Sequence, residues 1–308
     1  EVFYRSGLKV LMVDWDLEAP GLERYFPSVK SEDVLSKPGV IEMLMSYKEQ
    51  MSQELSSDDS LELGDVTQYI IDIYPDQRSL GKLLMITAGR RSKAHFAQYA
   101  QAVLNFDWQE FYETWGGELY FGWLREQFRS MADVILVDSR TGVTEISGIC
   151  TYQLADTVVM FCAPNEQSLD GTYRVANSLR SPEVQSLRND RPVDILIIPA
   201  RVEIAESDLL DKFKVRFTEL FNDFAPQSMD FDVQQLWQAR IPYIPRYAFT
   251  ESVAIRESDR ASAEDISKAF HALSRLLEQL RSGREQILTP RQKSELLDAP
   301  PSQMSHRS

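Results

Sequence analysis

The stretch Lys9-Val10-Leu11-Met12-Val13-Asp14-Trp15-Asp16-Leu17-Glu18-Ala19-Pro20-Gly21 decides how the chain is read. Val10 to Val13 form an apolar run of strand length, entered from Lys9 and left through Asp14. The run does not alternate apolar with polar residues, so both of its faces must be buried. A parallel sheet covered by helices on either side requires this pattern. Open parallel sheets bind ligands at the carboxyl ends of their strands, so the acidic exit at Asp14 and Asp16 is the first place to look for chemistry.

Similar runs recur at Lys82–Thr87, Asp133–Asp138, Thr157–Cys162 and Val193–Ile198, with a short, Pro-interrupted run at Ile241–Ile244. Between them, Gly39–Gln53, Ala94–Trp115, Gly122–Met131, Leu169–Leu179 and Asp208–Phe224 read as helices. Strands alternating with helices predict an α/β fold: a doubly wound, mostly parallel sheet covered by helices on both faces. Near the end, Ile266, Phe270, Leu273, Leu277 and Leu280 recur at helical spacing. The opposite face is mixed in charge rather than basic, so packing on the sheet is favoured over a membrane or partner helix. There is no internal repeat and no internal boundary. One domain is expected over residues 1–281, followed by a disordered polar tail over 282–308. A second stretch of low order is expected from Met51 to Gly64.

The 308 residues carry 33 Lys and Arg against 47 Asp and Glu, a net charge of −14. Such a surface repels phosphate backbones and anionic lipid, so nucleic acid is not an expected partner. Cys150 and Cys162 cannot form a disulfide framework, and His95, His271 and His306 lack metal-ligand spacing. No apolar run approaches the ~18–20 residues of a membrane span, and no secretory signal opens the sequence. A reduced, cytoplasmic protein is expected.

The third run leaves through Asp138-Ser139-Arg140-Thr141-Gly142. Each aspartate alone reads equally well as a helix cap or turn former. Together, two acidic strand ends suit a hydrated magnesium ion, which prefers hard oxygen ligands and keeps waters beside phosphate oxygens. Asp followed by Ser-x-x-Gly also suits a loop that senses a γ-phosphate through backbone N–H groups.

Three segments, VLMVDWDLEAPGLERYF at Val10–Phe26, DVILVDSRTG at Asp133–Gly142 and CAPNEQSLDG at Cys162–Gly171, resemble the MinD/ParA-like (deviant Walker A) P-loop ATPases. The similarity runs from about Gly7 to Leu280. The resemblance implies ATP and Mg2+ as cofactors and a homodimer formed through the nucleotide face. It further implies a switch that acts on a protein partner. By the same resemblance, Asp14 and Asp16 belong to a first switch near magnesium and the attacking water, both being catalytic candidates and Asp14 also a metal candidate. Asp138 becomes the carboxylate that holds magnesium through water, and Ser139, Arg140, Thr141 and Gly142 become a second switch. Arg201, Pro245 and Arg246 are the candidates for base contacts. The family's Asn-Arg pair is replaced here by Pro199-Ala200-Arg201.

One part of that family's pattern is missing. A phosphate loop needs a strand, a Gly-rich turn, a Lys and a Ser or Thr opening a helix. Only nine residues precede Val10, and the Gly81-Lys82 pair precedes a strand. No segment matches. The expectation is a longer chain whose phosphate loop lies ahead of Glu1, with an ATPase as the complete product. The alternative is a scaffold that keeps the fold without turnover. A tyrosine kinase is disfavoured because no Tyr follows Tyr247, and a DNA-partitioning role is disfavoured by the negative charge.

Two further features complete the reading. Arg78, Arg90, Arg91 and Lys93 gather around the second run, as a solvated loop or as contacts to phosphate, nucleic acid or a second subunit. Phe106 to Trp123 is rich in aromatics, expected to pack a core, with a protein-binding groove as the alternative.

Overall fold

A computed structural model describes residues 1–29, 31–54, 64–75, 80–139, 150–189, 191–203, 206–226, 233–257 and 261–287. Among the described residues seven strands follow one another: β1 (Lys9–Asp14), β2 (Ile71–Asp72), β3 (Lys82–Ile86), β4 (Val134–Asp138), β5 (Thr157–Cys162), β6 (Asp194–Val202) and β7 (Ile241–Pro242). The α-helices are α1 (Val2–Arg5), α2 (Ser31–Ser36), α3 (Val40–Glu54), α4 (Phe96–Leu104), α5 (Trp108–Glu113) and α6 (Gly117–Met131). They continue as α7 (Glu166–Leu179), α8 (Pro182–Leu187), α9 (Ser207–Phe221), α10 (Val233–Gln238) and α11 (Ala261–Ile287).

The strands form two sheets, β2-β3-β1-β4 and β5-β6-β7, parallel except where β2 meets β3. β1 and β6 are buried on both faces, as continuous apolar strands demand, whereas β4 and β5 are only partly covered. Leu11 and Val13 point into one core with Ile41, Leu44, Phe111 and Phe121, while Val10 and Met12 point into another with Phe3, Tyr4, Leu83 and Met85. In the second sheet, Ile195 and Ile197 meet Phe213, Phe217 and Phe221 of α9, and Leu196 and Ile198 meet Leu273, Leu276 and Leu280 of α11. The terminal stripe therefore packs on the sheet. Its helix runs on to Ile287, past the point where a tail is expected, and residues 288–308 lie outside the described residues.

Helix starts follow local chemistry. The Asp107 carboxylate accepts from the Glu110 N–H at 2.8 Å and opens α5, which is why the expected single helix over 94–115 divides into α4 and α5. Asn165 accepts from the Ser168 N–H at 2.8 Å and opens α7. Gly39 lets α3 start against the exit of β3: a Cβ there would lie 2.0 Å from the Thr87 carbonyl oxygen. The Val40 and Ile41 N–H groups donate to the Thr87 and Ala88 carbonyls.

The helix α6 ties the halves together. It packs under β1 and β4, and its Arg125 holds Asp156, at the entrance to β5, at 2.6 Å. Among the described strands, β4 has a neighbour only in β1, and β5 only in β6. The single sheet expected from the sequence thus divides between β4 and β5. Leu136 and Phe161, on those two strands, are 38% and 54% exposed.

Candidate functional site

The parallel register of β1 and β4 places Asp14 opposite Asp138 as the last pair of the ladder. Partners in register point to the same face of a sheet, so the two carboxylates leave the sheet side by side. The chain is clamped just beyond them, where the Trp15 N–H donates to the Asp138 carbonyl oxygen at 2.8 Å. Trp15 itself is fully buried against Phe121.

The two aspartates stand in different surroundings. Asp14 is 1% exposed. Its Oδ2 accepts from the Gly21 and Leu22 N–H groups at 3.1 and 3.3 Å, whereas its Oδ1 is buried without a hydrogen-bond partner. Burial pushes its carboxyl up to about 6, against the opposing pull of those N–H groups and the Arg91 guanidinium. Asp138 lies on the open side of its strand, yet the protein around it still raises its carboxyl, with the negative charge of Asp16 as the second cause. Asp16 Oδ1 accepts from the Ala19 N–H at 3.1 Å and shapes the turn that follows β1.

Beyond Asp16 the loop Leu17–Arg24 is held from a second side. The Tyr99 hydroxyl of α4 donates to the Leu17 carbonyl oxygen at 2.6 Å, and Arg91 Nη2 meets Glu23 Oε2 at 2.9 Å. Both side chains of that ion pair are buried, at 7% and 6% exposure. Arg91 is therefore a buried partner of the loop, which corrects the sequence reading of a solvated basic cluster, while Arg90 and Lys93 are exposed. A cleft of about 970 Å³ opens between this loop and α4. Neither Tyr99 nor Arg91 stands out in the sequence as a partner of the strand exit.

The remaining candidates are placed unevenly. Ser139 follows Asp138 directly and is half-buried, whereas Arg140, Thr141, Gly142 and Arg78 lie outside the described residues. Arg201, one residue before the end of β6, has a φ of 56°, and its guanidinium lies 5.5 Å from the ring centre of Tyr243. Pro245 and Arg246 open the short 3-10 turn just after β7, with Arg246 held by Glu257 at 3.5 Å. Arg201 and the Pro245–Arg246 turn thus both flank β7 of the second sheet.

The donor set is made of hard oxygens. Among the described residues, no cluster of three or more His, Cys, Asp or Glu side chains encloses a metal. Magnesium is commonly bound through one or two carboxylates with the remaining positions left to water and phosphate. The buried, unpartnered Oδ1 of Asp14 fits the same reading, as an acceptor still in need of a cation or donor. Asp138 and Asp14 are the residues present that would hold such an ion.

A parallel sheet wrapped by helices, with acidic strand ends at its rim, is an α/β fold. Solved structures that share it include Cyanothece McdA in its apo form, with 15% identity, a TM-score of 0.51, and coverage of 87% of this chain and 89% of that one. An ATP complex of a McdA variant covers 87% and 85% at the same identity and TM-score. A Borrelia burgdorferi structure titled as a plasmid partition protein bound to AMPPNP shares 11% identity, with a TM-score of 0.53 and 89% coverage of both chains. At such identities the likeness is one of fold. No protein-family model matches the sequence, and no curated protein matches it. Among the described residues, no helix is long and apolar enough to cross a membrane.

Proposed function

We propose that this protein is a magnesium-dependent, ATP-binding and ATP-hydrolysing switch of the MinD/ParA type, working in the cytoplasm as a homodimer joined through its nucleotide face. The observation that carries this reading is the pairing of Asp14 with Asp138 at the ends of adjacent parallel strands. The fold shared with ATP- and AMPPNP-bound proteins supports the choice of nucleotide. In this reading Asp138, through water, and Asp14 hold the metal, Asp16 orients the attacking water, and Asp14 also fixes the loop that follows Asp16. Ser139, Arg140, Thr141 and Gly142 form the second segment that follows the nucleotide's state, and Arg201, Pro245 and Arg246 flank the base. Magnesium, when bound, would neutralise charge on the phosphate oxygens. A change in the two segments would then be read by a protein partner.

The phosphate cradle is the piece these 308 residues do not contain, and we propose that it is contributed from outside them. The same absence favours a second reading, a scaffold with this fold and no turnover. Manganese, a paramagnetic stand-in for magnesium, separates the two. Titration of the protein with manganese and ATP, followed by electron paramagnetic resonance, is expected to show uptake that weakens about 10- to 100-fold in Asp138→Asn, the usual cost of removing a water-mediated metal partner. Equal uptake by the parent and the variant overturns the role of Asp138. No uptake by the parent overturns the switch and leaves the scaffold.

A further inference from the structure

The loop Leu17–Arg24 is fastened at three places by side chains from three different elements. Asp14 of β1 accepts from the Gly21 and Leu22 N–H groups. Tyr99 of α4 donates to the Leu17 carbonyl oxygen at 2.6 Å. Arg91, between β3 and α4, meets Glu23 at 2.9 Å. The Tyr99 bond is buried and the other two fastenings are part-buried, so all three are partly shielded from competition by water. Arg91 is itself anchored, because its own N–H and that of Ser92 donate to the Leu35 carbonyl oxygen at 2.7 and 2.9 Å. Its guanidinium carbon lies 6.0 Å from the centre of the Tyr99 ring, so the two outer fastenings form one assembly.

We propose that Tyr99 and Arg91 are positioning residues that latch the loop Leu17–Arg24 onto α4 and so hold it against Asp14. The latch explains two features of the molecule that packing alone does not. Burying a Tyr hydroxyl and an ion pair at a loop costs desolvation, which apolar residues would avoid; the polar pairs supply one defined geometry. The latch also fixes the cleft between the loop and α4, where Leu17, Ala19 and Pro20 face Phe96, Ala100 and Leu104 across about 970 Å³. Movement of the loop therefore reshapes an apolar surface on which Phe96 and Leu104 are already exposed. Through this coupling, the state of the acidic strand ends reaches the exterior. The assignment rests on the reading of this loop as a moving part of the site.

Amide hydrogen exchange resolved by NMR, on the ligand-free protein, tests the latch without nucleotide. Tyr99→Phe keeps the ring in its core and removes only the hydroxyl. The Ala19, Gly21 and Leu22 amides are expected to exchange about tenfold faster, the equivalent of one buried hydrogen bond of roughly 1.4 kcal/mol. The β1 and α6 amides should keep their rates. Arg91→Gln should act on the same amides, and Arg91→Lys should restore part of the protection. Unchanged loop exchange in Tyr99→Phe overturns the latch, and so does a uniform acceleration across β1 and α6, because that is loss of packing. Either failure leaves the metal-nucleotide titration unaffected, and failure of that titration leaves the exchange result standing.

Discussion

The α-carbons of Asp14 and Asp138 are partners across β1 and β4, and the Trp15 N–H locks the end of that ladder onto the Asp138 carbonyl oxygen at 2.8 Å. Neighbouring strands lie about 4.8 Å apart, so two acidic side chains share one small region of the rim. Their surroundings push them apart in behaviour. One is enclosed and braced by backbone N–H groups, and the other faces the opening and feels the negative charge of Asp16. Paired carboxylates in unequal surroundings are a common basis for dividing chemical roles.

That enclosure has a measurable cost. Burial lifts Asp14 from the ordinary ~3.9 of a free carboxyl to about 6. The folded protein then binds more protons than the unfolded chain between those values, so this group's contribution to stability falls as pH rises from about 4 to 6 and stays low above. Asp14→Asn removes the buried charge and keeps an oxygen for Gly21 and Leu22. It is expected to raise stability at pH 8 by about 2 kcal/mol, several degrees in Tm, with the gain gone near pH 4. Calorimetry at four pH values checks this; a gain independent of pH would refute it.

The strands that could be read from the sequence are those whose apolar runs end abruptly in polar residues. β1 and β5 begin and end at the expected residues, since Lys9, Asp14, Thr157 and Cys162 mark clear limits. β6 runs further, to Val202, because Pro199 and Arg201 are accommodated by a register shift between Ala200 and Val202 rather than ending the strand. β2 escaped notice because two residues carry no period. The acidic rim was legible for a topological reason: strand ends in parallel sheets are where ligands go. The latch was not, because Tyr99 and Arg91 meet loop residues 82 and 68 positions away, and no local pattern encodes such a meeting.

Arg188 gives a sharper test of the second half. It is 1% exposed, and its guanidinium donates to four carbonyl oxygens: Arg191 at 2.9 Å, Tyr152 at 2.7 Å, Ala155 at 2.9 Å and Pro192 at 3.0 Å. This fork fixes the turn that leads into β5. A lysine ammonium is a point donor and cannot span that set. Arg188→Lys should therefore cost about 3 kcal/mol or more in urea unfolding, nearly as much as Arg188→Met. A loss below about 1 kcal/mol would mean that water replaces the fork.

The aromatic stretch is core. Phe111 is fully buried and its ring lies within 6.3 Å, centre to centre, of Tyr47, Phe106, Trp108, Tyr112, Tyr120 and Phe121. Phe111→Ala should destabilise the protein by about 3–5 kcal/mol, whereas Leu119→Lys, at an exposed position of the neighbouring helix, should stay within about 0.5 kcal/mol. Comparable losses at both positions would instead make the stretch an interface.

The divided sheet predicts association. β1 and β6 are flanked on both sides, but β4 and β5 each have one neighbour among the described strands. Among the described residues no strand pairs with their outer edges, and Leu136 and Phe161 add exposed apolar surface there. Such edges are templates for pairing with another chain. The outer amides of β4 and β5 should exchange orders of magnitude faster than those of β1. The protein should also self-associate with rising concentration in sedimentation experiments. Phe161→Lys places a charge at the edge, so it should suppress that association while leaving unfolding within about 0.5 kcal/mol of the parent. A monomer at high concentration with slow exchange at both edges would mean that the gap is already closed, and a large loss of stability in Phe161→Lys would place that side chain in a core instead.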